Sequence, residues 1–461
     1  MFSREKVRLL VLVIIAAGVL CAAEPVKTAG PPYEDDPAVV KMLAALDAGA
    51  SVLLPPVKHV RDGKPVSGRG RRGPYARDYT MMMVWAPDRQ TALYAGGNHG
   101  GGRTNDVWEF HLGSNTWHNL FPAEGGDHAR FKWSLMFARR MYAKNPDYKM
   151  SARQQKEWDA CKAWWKKNVS LQNGWYLTKN GGPLLSGHTW DTLVYEPITK
   201  RMIQGTGAYC AAAAWIEHRF SGRPLKEVQA ELGKAPDGKP YRTMWTFDPA
   251  ARTWIPYASE SDLAVLRGMG ASMTYIPDWK RIVYYVAAQN VTPTAAYMRT
   301  WDPVKDAWAE LKPNGKSIHE LAFKLKIAPT SEQQMAYAPK HRKLVAVLKA
   351  STFAYDIDKN EWSKLNDAVP FMAHDAKTVW AYDTAADAFL LADPRNNRLA
   401  AFDLNTNAWT VITPKGPGIP KPPYCTGKGY YDPRLNVLVV QPAYKDRMWV
   451  YRHGKGATSA E

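Results

Sequence analysis

Residues Tyr94–Trp117 read YAGGNHGGGRTNDVWEFHLGSNTW. The stretch holds an apolar segment ending in Gly96-Gly97, a polar loop, a second apolar segment (Val107–Leu112), a tight turn and a tryptophan. His111 stands six residues before Trp117. The same step recurs as Asp248–Trp254, Asp302–Trp308, Asp356–Trp362 and Asp403–Trp409. Five copies of one spacing define an internal repeat, and a repeat constrains the fold before any local propensity does.

A second marker runs in phase with the first. An aromatic strand ending in a turn closes at Trp85-Ala86-Pro87, Tyr195-Glu196-Pro197, Tyr275-Ile276-Pro277, Tyr337-Ala338-Pro339, Tyr382-Asp383-Thr384 and Tyr431-Asp432-Pro433. In five of the six copies proline fixes φ for a hairpin between the first two strands. Each copy thus reads as four antiparallel strands, and the 47 to 54 residues between successive tryptophans from Trp254 to Trp409 match one propeller blade. The sixth copy stops after Met448–Tyr451, without a tryptophan strand. A ring needs that strand or leaves an edge open, and Ser51–Val57 is the expected donor. The expected fold is all-β: a six-bladed β-propeller with helical insertions on one face. The alternative is a seventh, degenerate blade in residues 120–185. It is disfavoured because Ser151 can cap a helix that places Trp158, Cys161 and Trp165 on one side. The repeated tryptophan is expected to pack between blades, and the Asp or His before it to organise the turn between strands three and four.

The glycine doublet, aromatic strand and spaced tryptophan resemble Kelch repeats, as in six-bladed Kelch propellers and the central domain of the galactose oxidase family. The resemblance spans residues 77–453. Only the first copy keeps the full motif; the second has Gly205-Thr206-Gly207, and copies three to six lack the doublet. The resemblance implies a platform for glycan or protein recognition.

Outside the repeats, Arg4, Lys6 and Arg8 precede an apolar run, Leu9–Leu20, and then small residues at Cys21-Ala22-Ala23. Residues 1–23 read as a signal peptide cleaved near Ala23, which implies a secreted or periplasmic protein with no membrane span after cleavage. Residues 24–76 supply a helix starting at Asp36-Pro37, the ring-closing strand and a basic loop, Arg61–Arg72. Residues 454–461 form a tail. Of the net charge of +18, the leader contributes two. An exported basic protein with 19 Trp and 23 Tyr suits an anionic polysaccharide or cell-surface glycan. Nucleic acid has only net charge in its favour and is not expected. The three cysteines outside the leader form no zinc pattern, and no metal ligand set is identified. The sequence leaves any cofactor unknown. Cys161 and Cys210 lie in neighbouring insertions and could pair.

The insertions are residues 121–186 and 208–240. In an up-and-down blade both connections emerge on one face, beside each other, where loops concentrate binding residues. Homologous positions there nominate His188, His99, Tyr209 and His374 for catalysis. Arg77, Asn98, Arg103, Trp190, Asp191, Arg267, Gln289, Glu332 and Tyr424 are nominated for substrate binding. Arginine pairs bidentately with carboxylates or sulfates, and His with Tyr could act as base and acid in β-elimination of a uronic-acid polymer. The expected function is binding, with processing left open, of an anionic carbohydrate at the channel mouth. A non-enzymatic protein- or glycan-interaction module is the alternative. A copper enzyme like galactose oxidase is a lesser one, since that family's site draws on a further C-terminal domain.

Overall fold

The structure is a computed structural model describing residues 32–68, 73–75, 77, 80–96, 104–124, 149–172, 174–205, 208–209, 213–232, 242–259, 261, 263, 271–286, 297–322, 333–374, 377–422, 427–442 and 445–454. Six antiparallel sheets form a six-bladed β-propeller. The innermost strands are Val84–Ala86, Leu193–Glu196, Ala271–Ile276, Gln333–Ala338, Val379–Asp383 and Gly427–Asp432, and each contacts the next around a closed ring. Blades two to five each order their four strands as they occur in the chain.

Blade six takes its fourth strand from the other end of the chain. Ser51–Pro56 runs antiparallel to Arg447–Tyr451, with Ser51 opposite Tyr451 and Leu53 opposite Trp449. Pairing there gives the last strand's N–H and C=O groups partners that an open edge would lack. The following residues depart from the expected loop. Lys58–Arg61 is a strand parallel to the outer strand of blade one, Thr116–Phe121, and pairs with Lys64–Pro65, so this sheet has six strands. Residues 69–72 of that loop lie outside the described residues. The helix Pro37–Ala44 is capped by the Asp36 side chain with proline at its start.

Each blade is sandwiched between two neighbours, so its inner strands are buried on both faces and read as unbroken apolar runs; Ala388–Asp393 and Val437–Pro442 are buried throughout. Outer strands meet solvent and carry charge, as in Glu361–Asn366. The repeated tryptophan sits in the fourth strand directly opposite an aromatic residue of the third. The pairs are Phe110–Trp117, Phe247–Trp254, Trp301–Trp308, Tyr355–Trp362 and Phe402–Trp409, with ring centroids 5.1–5.3 Å apart. The indoles also reach the preceding blade. Trp117 donates to Gln441 of blade six at 3.2 Å, Trp254 to the Asn105 carbonyl of blade one at 2.9 Å, and Trp409 to Thr352 of blade four at 2.9 Å.

The acidic residue before each tryptophan closes the three–four turn. Asp248, Asp302 and Asp356 each accept two backbone N–H groups from residues two and three positions on, and Asp403 accepts one from Asn405. His111 contacts Ser114 in the same role, 2.9 Å away. Gly96 has φ +104, and a Cβ there would lie 2.9 Å from Thr80 and Thr189 side-chain atoms, so this member of the doublet must be glycine.

Candidate functional site

The two insertions fold onto each other. The first contributes a helix, Ala152–Asn168, started by a capping box between Ser151 and Gln154, and a hairpin, Val169–Gln172 with Trp175–Thr178. The second contributes helices Ala213–Ser221 and Leu225–Ala230, with Pro224 at the N-cap of the latter. Trp158, Cys161, Trp165 and Tyr176 from the first pack with Ala214, Ile216, Phe220 and Val228 from the second in one apolar cluster. Trp165 donates its indole N–H to Glu217 at 2.5 Å. A short antiparallel bridge, Leu185 to Tyr209 and Ser186 to Ala208, joins their bases. Cys161 lies inside this cluster, and Cys210, its expected partner, lies outside the described residues.

Beneath this cap the nominated residues of blades one and two are drawn into the scaffold. Arg77 is 3% exposed. Its guanidinium donates to the Gly73 and Gly96 carbonyls, pairs with Asp106 at 2.5 Å, and lies 5.4 Å over the Tyr94 ring. Asp106 also accepts from Thr104 and from the Trp108 indole. These contacts make Arg77 a clamp between the incoming chain and blade one. Asp191 is buried, bridges through its backbone to blade three, and accepts the Met335 N–H of blade four at 3.3 Å. His188 is buried with its ring edge-on to Trp190, 5.0 Å between centroids. Trp190 has φ +47, uncommon for a bulky residue, where its backbone bridges Thr80 of blade one. Tyr209 lies in the short bridging strand. Asn98, His99, Arg103, Arg267, Gln289, Glu332 and Tyr424 lie outside the described residues.

His374 is placed differently. It opens the approach to blade five and lines a cleft of about 390 Å³ on the insertion face with Met372, Lys377, Thr378, Asp393, Arg395, Asn396 and Arg398. Two connections build it. The segment before the inner strand turns tightly, with the Lys377 and Thr378 N–H groups both donating to the His374 carbonyl and the His374 N–H to Thr378 Oγ1 at 2.8 Å. Between strands two and three, Asp393 organises the turn, accepting the Arg395 N–H at 3.1 Å and the Asn396 amide at 2.7 Å. Arg398 closes on Asp393 at 2.5 Å and lies 4.5 Å over the Phe371 ring.

That leaves an excess of cation. Asp393 is neutralised by Arg398, while Lys377 and Arg395 are exposed and pair with no carboxylate among the described residues. Two exposed cations beside an imidazole and an amide, in a concave wall, can hold a carboxylate or sulfate. Sequence reasoning reached His374 but missed Lys377, Arg395 and Arg398. The signal was present in DPRNNR (Asp393–Arg398), a short turn with two arginines and one acid. Among the described residues no cluster of three or more His, Cys, Asp or Glu could hold a metal ion. No helix among them is long and apolar enough to cross a membrane.

No known protein family profile and no curated relative matches the chain. Solved structures similar in part include the extracellular domain of a B. thetaiotaomicron protein assigned as a one component system, at 10% identity and a TM-score of 0.30 over 47% of this chain. Another is a structural-genomics protein of unknown function from Bacteroides thetaiotaomicron VPI-5482, at 9% identity and a TM-score of 0.31 over 46% of this chain. The matches span 26% and 53% of those two chains.

Proposed function

We propose that this chain is an exported, divergent Kelch-type propeller that binds an acidic glycan on its insertion face, with the blade-five cleft holding the anionic groups. The observation that carries the reading is the pair of cations, Lys377 and Arg395, that pair with no carboxylate among the described residues, beside His374 in a cleft of about 390 Å³. A uronate or sulfate would take a bidentate contact from Arg395 and a point charge from Lys377. The N-terminal sequence, basic then apolar then small, supports export to where such polymers occur. The Kelch assignment rests on the repeat spacing, the Gly96 turn and the tryptophan ladder.

Binding is the step that the described side chains support; β-elimination would require a base–acid pair drawn from His99 and Tyr209. Affinity electrophoresis through gels cast with uronic-acid, sulfated or neutral polymers tests the reading. Retardation by the acidic polymers alone, weakening as salt rises, is expected. Equal mobility in all gels would overturn it. Absorbance of an unsaturated uronate in the same mixtures separates cleavage from binding.

A further inference from the structure

We infer that the central channel is a second binding site, taking an uncharged, largely apolar small molecule from the face opposite the insertions. A cavity of about 370 Å³ runs along the axis and is lined by the innermost strands of all six blades. It begins at Met82 and Asp191 on the insertion side, where adjacent inner strands bridge each other, and reaches the prolines of the one–two turns on the other face. Pockets of about 300–1,000 Å³ are the size that small ligands use.

The chemistry of the wall selects the ligand. Each blade contributes the aromatic residue that marks its repeat: Trp85, Tyr195, Tyr275, Tyr337, Tyr382 and Tyr431. Four of the phenol groups are engaged by turn residues: Tyr195 with Asp88, Tyr337 with Asp278, Tyr382 with Asp387 and Tyr431 with Asn436. Their contribution to the channel is therefore ring carbon rather than hydroxyl. Among the described residues the lining holds no Lys, Arg or His, although the chain carries a net +18. The one carboxylate among the described lining residues, Asp191, already accepts the Met335 N–H. An anion would meet no counter-charge there, and a charged group buried without a partner is costly. An apolar cavity also holds water poorly and gains from an apolar guest. Methionines at the inner end can adapt to its shape.

The test titrates the protein lacking residues 1–23 with the neutral probe N-phenyl-1-naphthylamine and follows its fluorescence. A saturable, single-site rise is expected. Ala336→Trp fills a half-buried lining position and should weaken binding by about tenfold or more, with an unchanged near-ultraviolet circular dichroism spectrum. Tyr275→Ala removes a half-buried ring at the outer end, should weaken binding about threefold or more, and decides the matter if the tryptophan variant does not fold. Excess uronic-acid polymer should leave the probe bound, since the glycan cleft is on the other face. A non-saturating rise, full affinity in the folded variants, or displacement by the polymer would overturn the inference.

Discussion

Trp254 of blade two donates its indole N–H to the backbone carbonyl of Asn105 in blade one, 2.9 Å away, while its ring lies 5.2 Å from Phe247 in its own blade. One side chain thus closes a sheet and ties it to its neighbour. Trp254→Ala should destabilise the ring by about 3–5 kcal/mol through the cavity it leaves. Trp254→Phe should cost roughly 1–3 kcal/mol, the penalty for orphaning the Asn105 carbonyl. Denaturant unfolding of both variants checks the order; a Trp254→Phe variant as stable as the parent would show that the cross-blade hydrogen bond contributes nothing.

Ring closure depends on a strand some four hundred residues from its partner. Leu54 in that strand is fully buried in the cluster shared by blades one and six. Leu54→Asp should abolish the monomeric fold, because it buries a charge and frees the edge of Arg447–Tyr451. Size-exclusion chromatography should show aggregate or no soluble protein. A monomer melting like the parent would mean that the ring holds without this strand.

A half-buried group in blade one and a buried one in blade six oppose each other in acid. Burial against Tyr33, whose ring stacks on it at 3.5 Å, holds the His118 pKa down at about 4, against 6.5 ordinarily. Between those values the unfolded chain binds a proton that the folded chain refuses. The His118 contribution is therefore intact above about pH 6.5 and is lost as pH falls toward 4, on the order of 3 kcal/mol at the limit. His118→Gln should flatten that loss when melting is compared at pH 4.5 and 7; an unchanged slope would contradict it.

Asp432 acts with the opposite sign. Burial raises its pKa from 3.8 to about 6, so between those values the folded chain holds the extra proton. Its contribution is full below about pH 3.8 and is lost as pH rises through 6. Asp432→Asn should steepen the gain in stability from pH 4 to 6. A shallower gain would reverse the assignment.

The ring was legible because its determinants are periodic. A tryptophan opposite an aromatic residue, an Asp closing a turn and an aromatic strand before a hairpin recur at fixed spacing, and each performs one structural task per blade. The helix after Ser151 was legible for the same reason: the cap and the buried face of Trp158, Cys161 and Trp165 are local. Lys58–Arg61 was not, because a short polar strand is formed by its parallel partner, Thr116–His118, and not by its own sequence.

The candidate site was legible only in part. Position within a blade brought His374 to the cleft, but position alone could not reveal that Arg77 is consumed by Asp106, since that pairing joins residues far apart in the chain. Nor could it show that Asp393 neutralises Arg398 and not Arg395, which depends on how one turn closes. Side-chain partnership, more than topology, separates a binding cation from a scaffold cation here.

The acidic-glycan reading meets its most direct test in isothermal titration of a polyuronate into the protein lacking residues 1–23 and its Lys377→Ala/Arg395→Ala variant at low ionic strength. Both positions are exposed, so the variant should fold as the parent does. The account predicts saturable binding by the parent, weakened about tenfold or more in the variant and suppressed by salt. Parent and variant binding with equal affinity, or a parent that does not bind, would contradict it.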